Sequence, residues 1–266
     1  TRKESSAASD VYKRQVNTGE QLSNGHPWQV EKCQTAEKDN PVLGYPRGQQ
    51  CNVRGLTSLG AYAVNGLIDR NMAIDIDHFS AKSAEAVLDI ISRRHYPGVI
   101  SSHTWTDPRN YGRILSAGGI VGLFATPAEG KPGEKGRHGD LPPDYLSAWR
   151  VLREQRSPDY FFGVGFGPDM GGLGAQAHPR PSASRNPVRY PFRGADGVTE
   201  ISRQVSGKRV FDVNVDGTAH YGLLPDWIES LRVQAGPVEG PRVVGDLFAA
   251  AEAYTRMWER VEAYRG

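Results

Sequence analysis

Residues 72–101 read MAIDIDHFSAKSAEAVLDIISRRHYPGVIS, and the change of period inside this stretch decides the fold class. Met72 to Asp77 alternates apolar and acidic residues in the manner of a short strand. Ser80 is placed to cap a helix, whose apolar stripe is Ala84, Val87, Leu88 and Ile91. Pro97 to Ser101 then reads as a second strand. Strand, helix and strand joined by connections this short form a parallel βα unit.

Working outward, the same alternation continues. Upstream, Leu56, Leu59, Ala63, Leu67 and Ile68 recur at helical spacing, with Thr57 at the N-cap position. Downstream, a short helix over Tyr111 to Ala117 leads to a third strand, Gly119 to Phe124 (GIVGLF). Ala128 to Pro143 is a charged loop rich in Gly and Pro. Asp144 to Glu154 is helical, and Tyr160 to Gly165 reads as a fourth strand. Four such units are half of an eight-stranded α/β barrel, or an open doubly wound sheet. Residues 167–220 are rich in Gly, Pro, Arg and Asp with little periodicity, and a loop this long is a functional segment or an insertion. Two helical stretches close the chain. The first, Leu223 to Leu231, carries Trp227, Ile228 and Leu231 on one face. The second, Val243 to Val261, carries Leu247, Phe248, Ala251, Tyr254, Met257, Trp258 and Val261.

Composition removes several classes of function. The 266 residues hold 32 Lys and Arg against 30 Asp and Glu, a formal net charge of +2. A nucleic-acid binder or a polybasic membrane patch needs a concentrated positive field, which this balance does not supply. No run approaches the ~18 apolar residues of a membrane-spanning helix. Two cysteines, Cys33 and Cys51, are too few for a disulfide-built mini-fold or a four-cysteine zinc module. They are buried thiols inside a cell or a disulfide in an exported protein, and the sequence leaves both open. Residues 1–15 (TRKESSAASDVYKRQ) are polar and without apolar period, and read as a non-native or disordered tail. Residues 16–266 are then one partial domain.

The chemistry gathers at the strand ends, where α/β barrels place their catalytic groups. The first strand ends in IDIDHFS and puts His78 at its mouth. The second ends in VISSHTW and puts His103 at the same level. The fourth ends in GVGFGPDMGG, with Asp169 just beyond it. Two imidazoles and a carboxylate from separate strands are the ligand set of a zinc-type hydrolytic site. A lone strand-end histidine is more often structural, so the weight rests on the set. Asp75 and Asp77 read as an acceptor behind a histidine and a helix N-terminal charge. Gly163, Gly165 and Gly167 share the parity of Asp169 and leave room for a ligand or for another backbone. Arg109 is placed to hold a carboxylate bidentately, against the plain reading of a surface arginine. His220, before the first closing helix, is a site group or a loop histidine packed on Tyr221. Arg180, Arg185, Arg189 and Arg193 make the long loop basic, and His26, His95, His138 and His178 read as solvated.

Taken together, CNVRGLTSLG, MAIDIDHFS, YPGVISSHTW, PRN and GVGFGPDMGG, spread over Cys51 to Gly172, resemble the membrane (renal) dipeptidase family of zinc metallopeptidases, within the amidohydrolase-like barrels. The tail FDVNVDGTAHYGLLPDWIESL looks like that of a divergent bacterial-type branch. The resemblance implies the C-terminal half of a (β/α)8 TIM-type barrel, with a long loop insertion and C-terminal helices. It implies two zinc ions bridged by a glutamate. His78 and His103 match the histidines that hold one zinc, and Asp169 matches the catalytic aspartate that ligates the other. Arg109 matches the arginine that binds the substrate carboxylate. The implied substrates are dipeptides or similar small amides. Lactone, deamination or phosphoester hydrolysis on the same scaffold, and a non-catalytic binding relative, are the alternatives.

The family's upstream His-x-Asp pair, bridging glutamate and fourth-strand histidine have no counterpart before Cys51. The expectation is therefore a truncated chain, inactive by itself and poorly stable or aggregating unless it pairs with a second half, as in a homo-oligomer. The compartment stays open, with the family and the two cysteines leaning towards an extracytoplasmic or secreted place.

Overall fold

Four short parallel strands form the central sheet: β3 (Ile74–Asp75), β4 (Val99–Ser101), β5 (Ile120–Phe124) and β6 (Gly165–Gly167). Their order in the sheet is their order in the chain. The computed structural model describes residues 30–32, 50–52, 55–79, 81–104, 106–133, 143–168 and 177–266. Ahead of the sheet, β1 (Val30–Lys32) and β2 (Gln50–Asn52) pair antiparallel, with Glu31 opposite Cys51. Residues 1–15, Cys33, Ser80 and Asp169 lie outside the described residues, and so do His26 and His138.

Local sequence explains the helices. In α1 (Ser58–Ile68) the Thr57 hydroxyl accepts from the Gly60 N–H at 3.0 Å, the expected N-cap. Helix α2 (Ala81–Arg94) ends on Arg93 and Arg94, two cations at the negative end of the helix dipole. A 3-10 turn, Pro108–Asn110, opens α3 (Tyr111–Ser116), with Pro108 at the position where its missing N–H costs nothing. Asp144 caps α4 (Tyr145–Glu154), accepting from the Ser147 N–H at 2.8 Å.

Register separates the two faces of the sheet. Ile74 pairs with Val99, and Ser101 with Val121. Val99, Val121 and Leu123 point to one face and join a core with Val87, Leu88 and Ile91 of α2, Ile114 of α3, and Trp149 and Leu152 of α4. Ile100 and Ile120 point to the other. That side is closed by the last helix, α7 (Ala250–Ala263), through Ala253 and Met257. Each fully buried large aliphatic side chain contributes about 1.5–3 kcal/mol, so these two layers carry the fold. The chain is thus a mixed α/β protein built on a parallel sheet. Among the described residues no helix is long and apolar enough to cross a membrane.

Three departures from the sequence reading have physical causes. The fourth strand is Gly165–Gly167, not Tyr160 to Gly165. The lead-in is claimed by helix α6 (Leu224–Phe248): the Val164 N–H donates to the Asp246 carbonyl at 2.8 Å, and Gly163 lies against the Ala249 backbone. The same contacts divide the expected helix Val243 to Val261 into α6 and α7. Helix α6 is itself broken at Gly236, where φ of +76° calls for glycine. Lastly, the long loop holds structure. Strands β7 (Phe192–Arg193) and β8 (Glu200–Ile201) pair, as do β9 (Val205–Ser206) and β10 (Arg209–Val210), before the short helix α5 (Val213–Asp216). Two-residue strands are too short to leave a period in the sequence.

Candidate metal centre

Both strand-end histidines stand just past the C-terminal ends of neighbouring strands, β3 and β4, and the structure brings them together. His78 Nε2 and His103 Nε2 are 2.8 Å apart, and the ring centroids are 4.8 Å apart. His78 reaches this position from a left-handed backbone, φ +65°. Thr104, directly after His103, is also left-handed at φ +56°, a costly conformation for a β-branched residue. Its hydroxyl secures the turn by donating to the His103 carbonyl at 2.7 Å and accepting from the Phe124 N–H at 3.1 Å.

Asp77 organises the pair. It is buried, 2 % exposed. Its Oδ2 accepts from the His103 backbone N–H at 2.7 Å and lies 3.0 Å from His103 Nδ1, while Oδ1 accepts from the Ser101 hydroxyl at 2.7 Å. The Ser102 hydroxyl is 3.0 Å from the same ring nitrogen. A carboxylate on Nδ1 assigns the proton there and leaves the His103 Nε2 lone pair facing His78. His78 then supplies the hydrogen of the short contact. Burial works to raise the Asp77 carboxyl, but the His103 and Ser101 donors outweigh it and hold it below the usual carboxylate range.

A second carboxylate sits beneath the first. Asp75 accepts from the Asp77 N–H at 3.1 Å and is pushed up to about 6 by burial and then by the Asp77 charge. Tyr111, wholly buried, is raised well above its ordinary value by burial and then by the Asp77 and Asp107 carboxylates. Two carboxylates, Asp75 and Asp77, thus lie close to His103, a setting that favours a cation.

The donors fit part of a zinc ligand set. A tetrahedral zinc with Zn–N near 2.0–2.1 Å spaces two nitrogens roughly 3.3 Å apart, so the pair has to open by about half an ångström and His78 has to move its proton to Nδ1. Among the described residues no group of three or more His, Cys, Asp or Glu could hold a metal ion. Asp169, the expected third ligand, is outside the described residues.

The other expected residues have partners of their own. Arg109 does hold a carboxylate bidentately, but it is Asp107's: Nε–Oδ1 is 3.0 Å and Nη2–Oδ2 is 3.2 Å. His220 caps the turn Tyr221–Leu223, with Nδ1 accepting from the Gly222 N–H, and its ring meets Phe211 edge-on at 4.5 Å. Arg180, read as a solvated loop cation, is instead buried at 5 % exposure. It donates to Gln234 Oε1 at 2.8 Å and to the Asn186 carbonyl at 2.6 Å. Arg185, Arg189 and Arg193 are exposed as expected, and so is His95. His178 is half-buried and its Nδ1 lies 2.8 Å from the Pro179 carbonyl.

The glycines resolve in favour of backbone contact. A Cβ on Gly163 would meet the Ala249 backbone at 2.4 Å, and one on Gly167 would meet the Ser102 carbonyl at 2.6 Å. Sequence reasoning did not single out Ser101, Ser102 and Thr104. The run Ser101-Ser102-His103-Thr104 was the available signal, since short hydroxyl side chains beside a strand-end histidine are natural hydrogen-bond partners for its ring and backbone. Compared with known proteins, the chain matches no family model, no curated sequence and no solved structure.

Proposed function

We propose that the chain belongs to a metal-dependent hydrolase of the dipeptidase type, cleaving the amide bond of dipeptides or similar small amides. The observation that carries this reading is the Asp77–His103–His78 arrangement, a carboxylate on the Nδ1 side of a histidine whose Nε2 converges on a second imidazole. Carboxylate-backed histidines are the usual way a protein orients zinc ligands.

On this reading His78 and His103 hold one zinc, and Asp169 contributes to a second and to activation of the attacking water. The bound metal supplies Lewis-acid polarisation of the scissile carbonyl. Asp77 fixes the tautomer of His103, and Arg109, whose Nε and Nη2 pair with Asp107, is the cation assigned to the substrate carboxylate. The finer fold assignment is the C-terminal half of an eight-stranded barrel. Sequential strand order with a helix in each of the three crossovers supports it. Helix α7 then fills the face that opposite strands occupy in a closed barrel.

The test is zinc content after loading and exhaustive dialysis, beside a His78→Ala/His103→Ala double variant. Retained zinc that the variant loses is the expected result. A folded protein that keeps no zinc, or a variant that keeps as much as the parent, overturns the metal reading. Where the zinc-loaded protein turns over a substrate, a hydrolytic screen of dipeptides, lactones and phosphoesters separates the dipeptidase assignment from its relatives.

A further inference from the structure

We infer that Gly167, on β6, is a positioning residue for His103: the strand two places away from β4 sets where the imidazole stands by leaving no side chain in its way. The inference rests on the proposed metal site and adds to it a contact that strand ends and motif matching do not reveal.

The observations are steric. Past the end of β4 the chain bends, and the Ser102 carbonyl is wedged between two glycines. A Cβ on Gly122 of β5 would stand 2.6 Å from the Ser102 oxygen. A Cβ on Gly167 would stand 2.6 Å from the same oxygen, 2.7 Å from His103 Cβ and 3.2 Å from His103 Cα. Two of these atoms belong to the backbone, which cannot swing aside as a long side chain can. Neither glycine has the positive φ that by itself demands glycine, since positive φ is confined to other glycines. Alanine is therefore permitted at Gly167 by backbone conformation and excluded by space alone. What it would displace is the Cα–Cβ bond of His103, and with it the ring held by Asp77 Oδ2 at 3.0 Å on one side and by His78 Nε2 at 2.8 Å on the other.

Gly165 provides the internal control. It lies two residues earlier on the same strand and points to the same face. Its added Cβ would meet only Gly122 Cα at 3.4 Å and Gly122 N at 4.0 Å, ordinary contact distances. If glycine served this strand merely as filler, both positions would respond alike.

The experiment compares Gly167→Ala and Gly165→Ala in the full chain. Two readouts are taken: zinc affinity by competition with a chromophoric chelator, and the tautomer of His103 in metal-free protein from imidazole 15N shifts. The expected result is that Gly167→Ala weakens zinc binding at least tenfold and removes the Nδ1–H signature of His103, while the circular dichroism spectrum is kept. Gly165→Ala leaves both readouts within twofold of the parent. Should Gly167→Ala fail to fold, Gly122→Ala reads the same wedge from β5 and is expected to show the same loss. Unchanged affinity and tautomer in a folded Gly167→Ala protein, or equal losses at Gly165 and Gly167, overturn the inference. A parent that binds no zinc overturns the proposed function instead, and the tautomer comparison still decides the role of Gly167.

Discussion

Asp77 holds His103 at two points, the backbone N–H at 2.7 Å and the ring Nδ1 at 3.0 Å, both through the same Oδ2. One oxygen thus fixes where the residue starts and which way its ring faces. Asp77→Asn keeps an oxygen acceptor for the backbone but replaces a carboxylate with an amide of no net charge. Zinc affinity should fall by about 10–100-fold, the usual cost of losing a group that backs a metal ligand. Asp77→Ala also strands the Ser101 hydroxyl and the His103 N–H, and should cost about 3–5 kcal/mol of stability. Chelator competition and urea unfolding measure the two effects. An Asn variant with parental zinc affinity would remove Asp77 from the site.

Asp75 makes a prediction about pH. Its carboxyl is pushed from 3.8 up to about 6 in the folded chain, by burial and then by Asp77. A carboxyl raised on folding favours the folded state below its unfolded value, and that advantage is lost as pH rises through the folded value. Between about pH 4 and pH 6 the group therefore takes stability away as the solution becomes more basic. Asp75→Asn removes the ionisation while its oxygen can still accept from the Asp77 N–H. The variant should melt above the parent at pH 7, and the gap should close below pH 4. Thermal melts of metal-free protein across that range check it; a gap that is constant with pH, or that opens on the acid side, contradicts the assignment.

Helix α7 is the layer that the sheet's second face depends on. Met257 is fully buried against Ile100, Ile120 and Ala73. Met257→Ala should cost about 2–5 kcal/mol, as large-to-small changes in a packed core do. Thr255→Ala, on the exposed side of the same helix, should stay within about 0.5 kcal/mol of the parent. Equal, small losses in urea unfolding would show that α7 rests loosely on the sheet.

What could be read in the sequence was what depends on near neighbours. Thr57 announces its helix because a cap acts within three residues. His78 and His103 could be paired because parallel strands of one sheet end at one level. The Asp77 contact to His103 spans 26 residues, and hydrophobic period carries no signal for it. The boundary of β6 was misjudged for the same reason: the Val164 N–H is drawn to Asp246, far along the chain. The stripe read along Val243 to Val261 holds at Leu247, Met257 and Val261 but fails at Phe248, Ala251 and Tyr254, which are exposed, because a period does not say which surface does the burying.

The long segment before α6 is pinned by Tyr190, whose hydroxyl donates to Asp226 Oδ1 at the start of that helix. Asp226 is fully buried, and its other oxygen has no hydrogen-bond partner among the described residues. Burial raises this carboxyl above its usual range, and the Tyr190 donor partly offsets the rise. Tyr190→Phe takes away that donor, leaving a buried carboxylate with still less solvation. The raised group should then rise further, so the loss is felt most where the carboxyl is ionised in the parent. At pH 7.5 the variant should be less stable by about 1–3 kcal/mol. In acid, where the carboxyl is neutral in both proteins, most of that penalty should vanish. Urea unfolding at pH 7.5 and below pH 4 measures the difference. A penalty equal at both pH values would mean that the hydroxyl contributes through packing or through its 3.3 Å contact with the Val213 N–H, and not through the Asp226 charge.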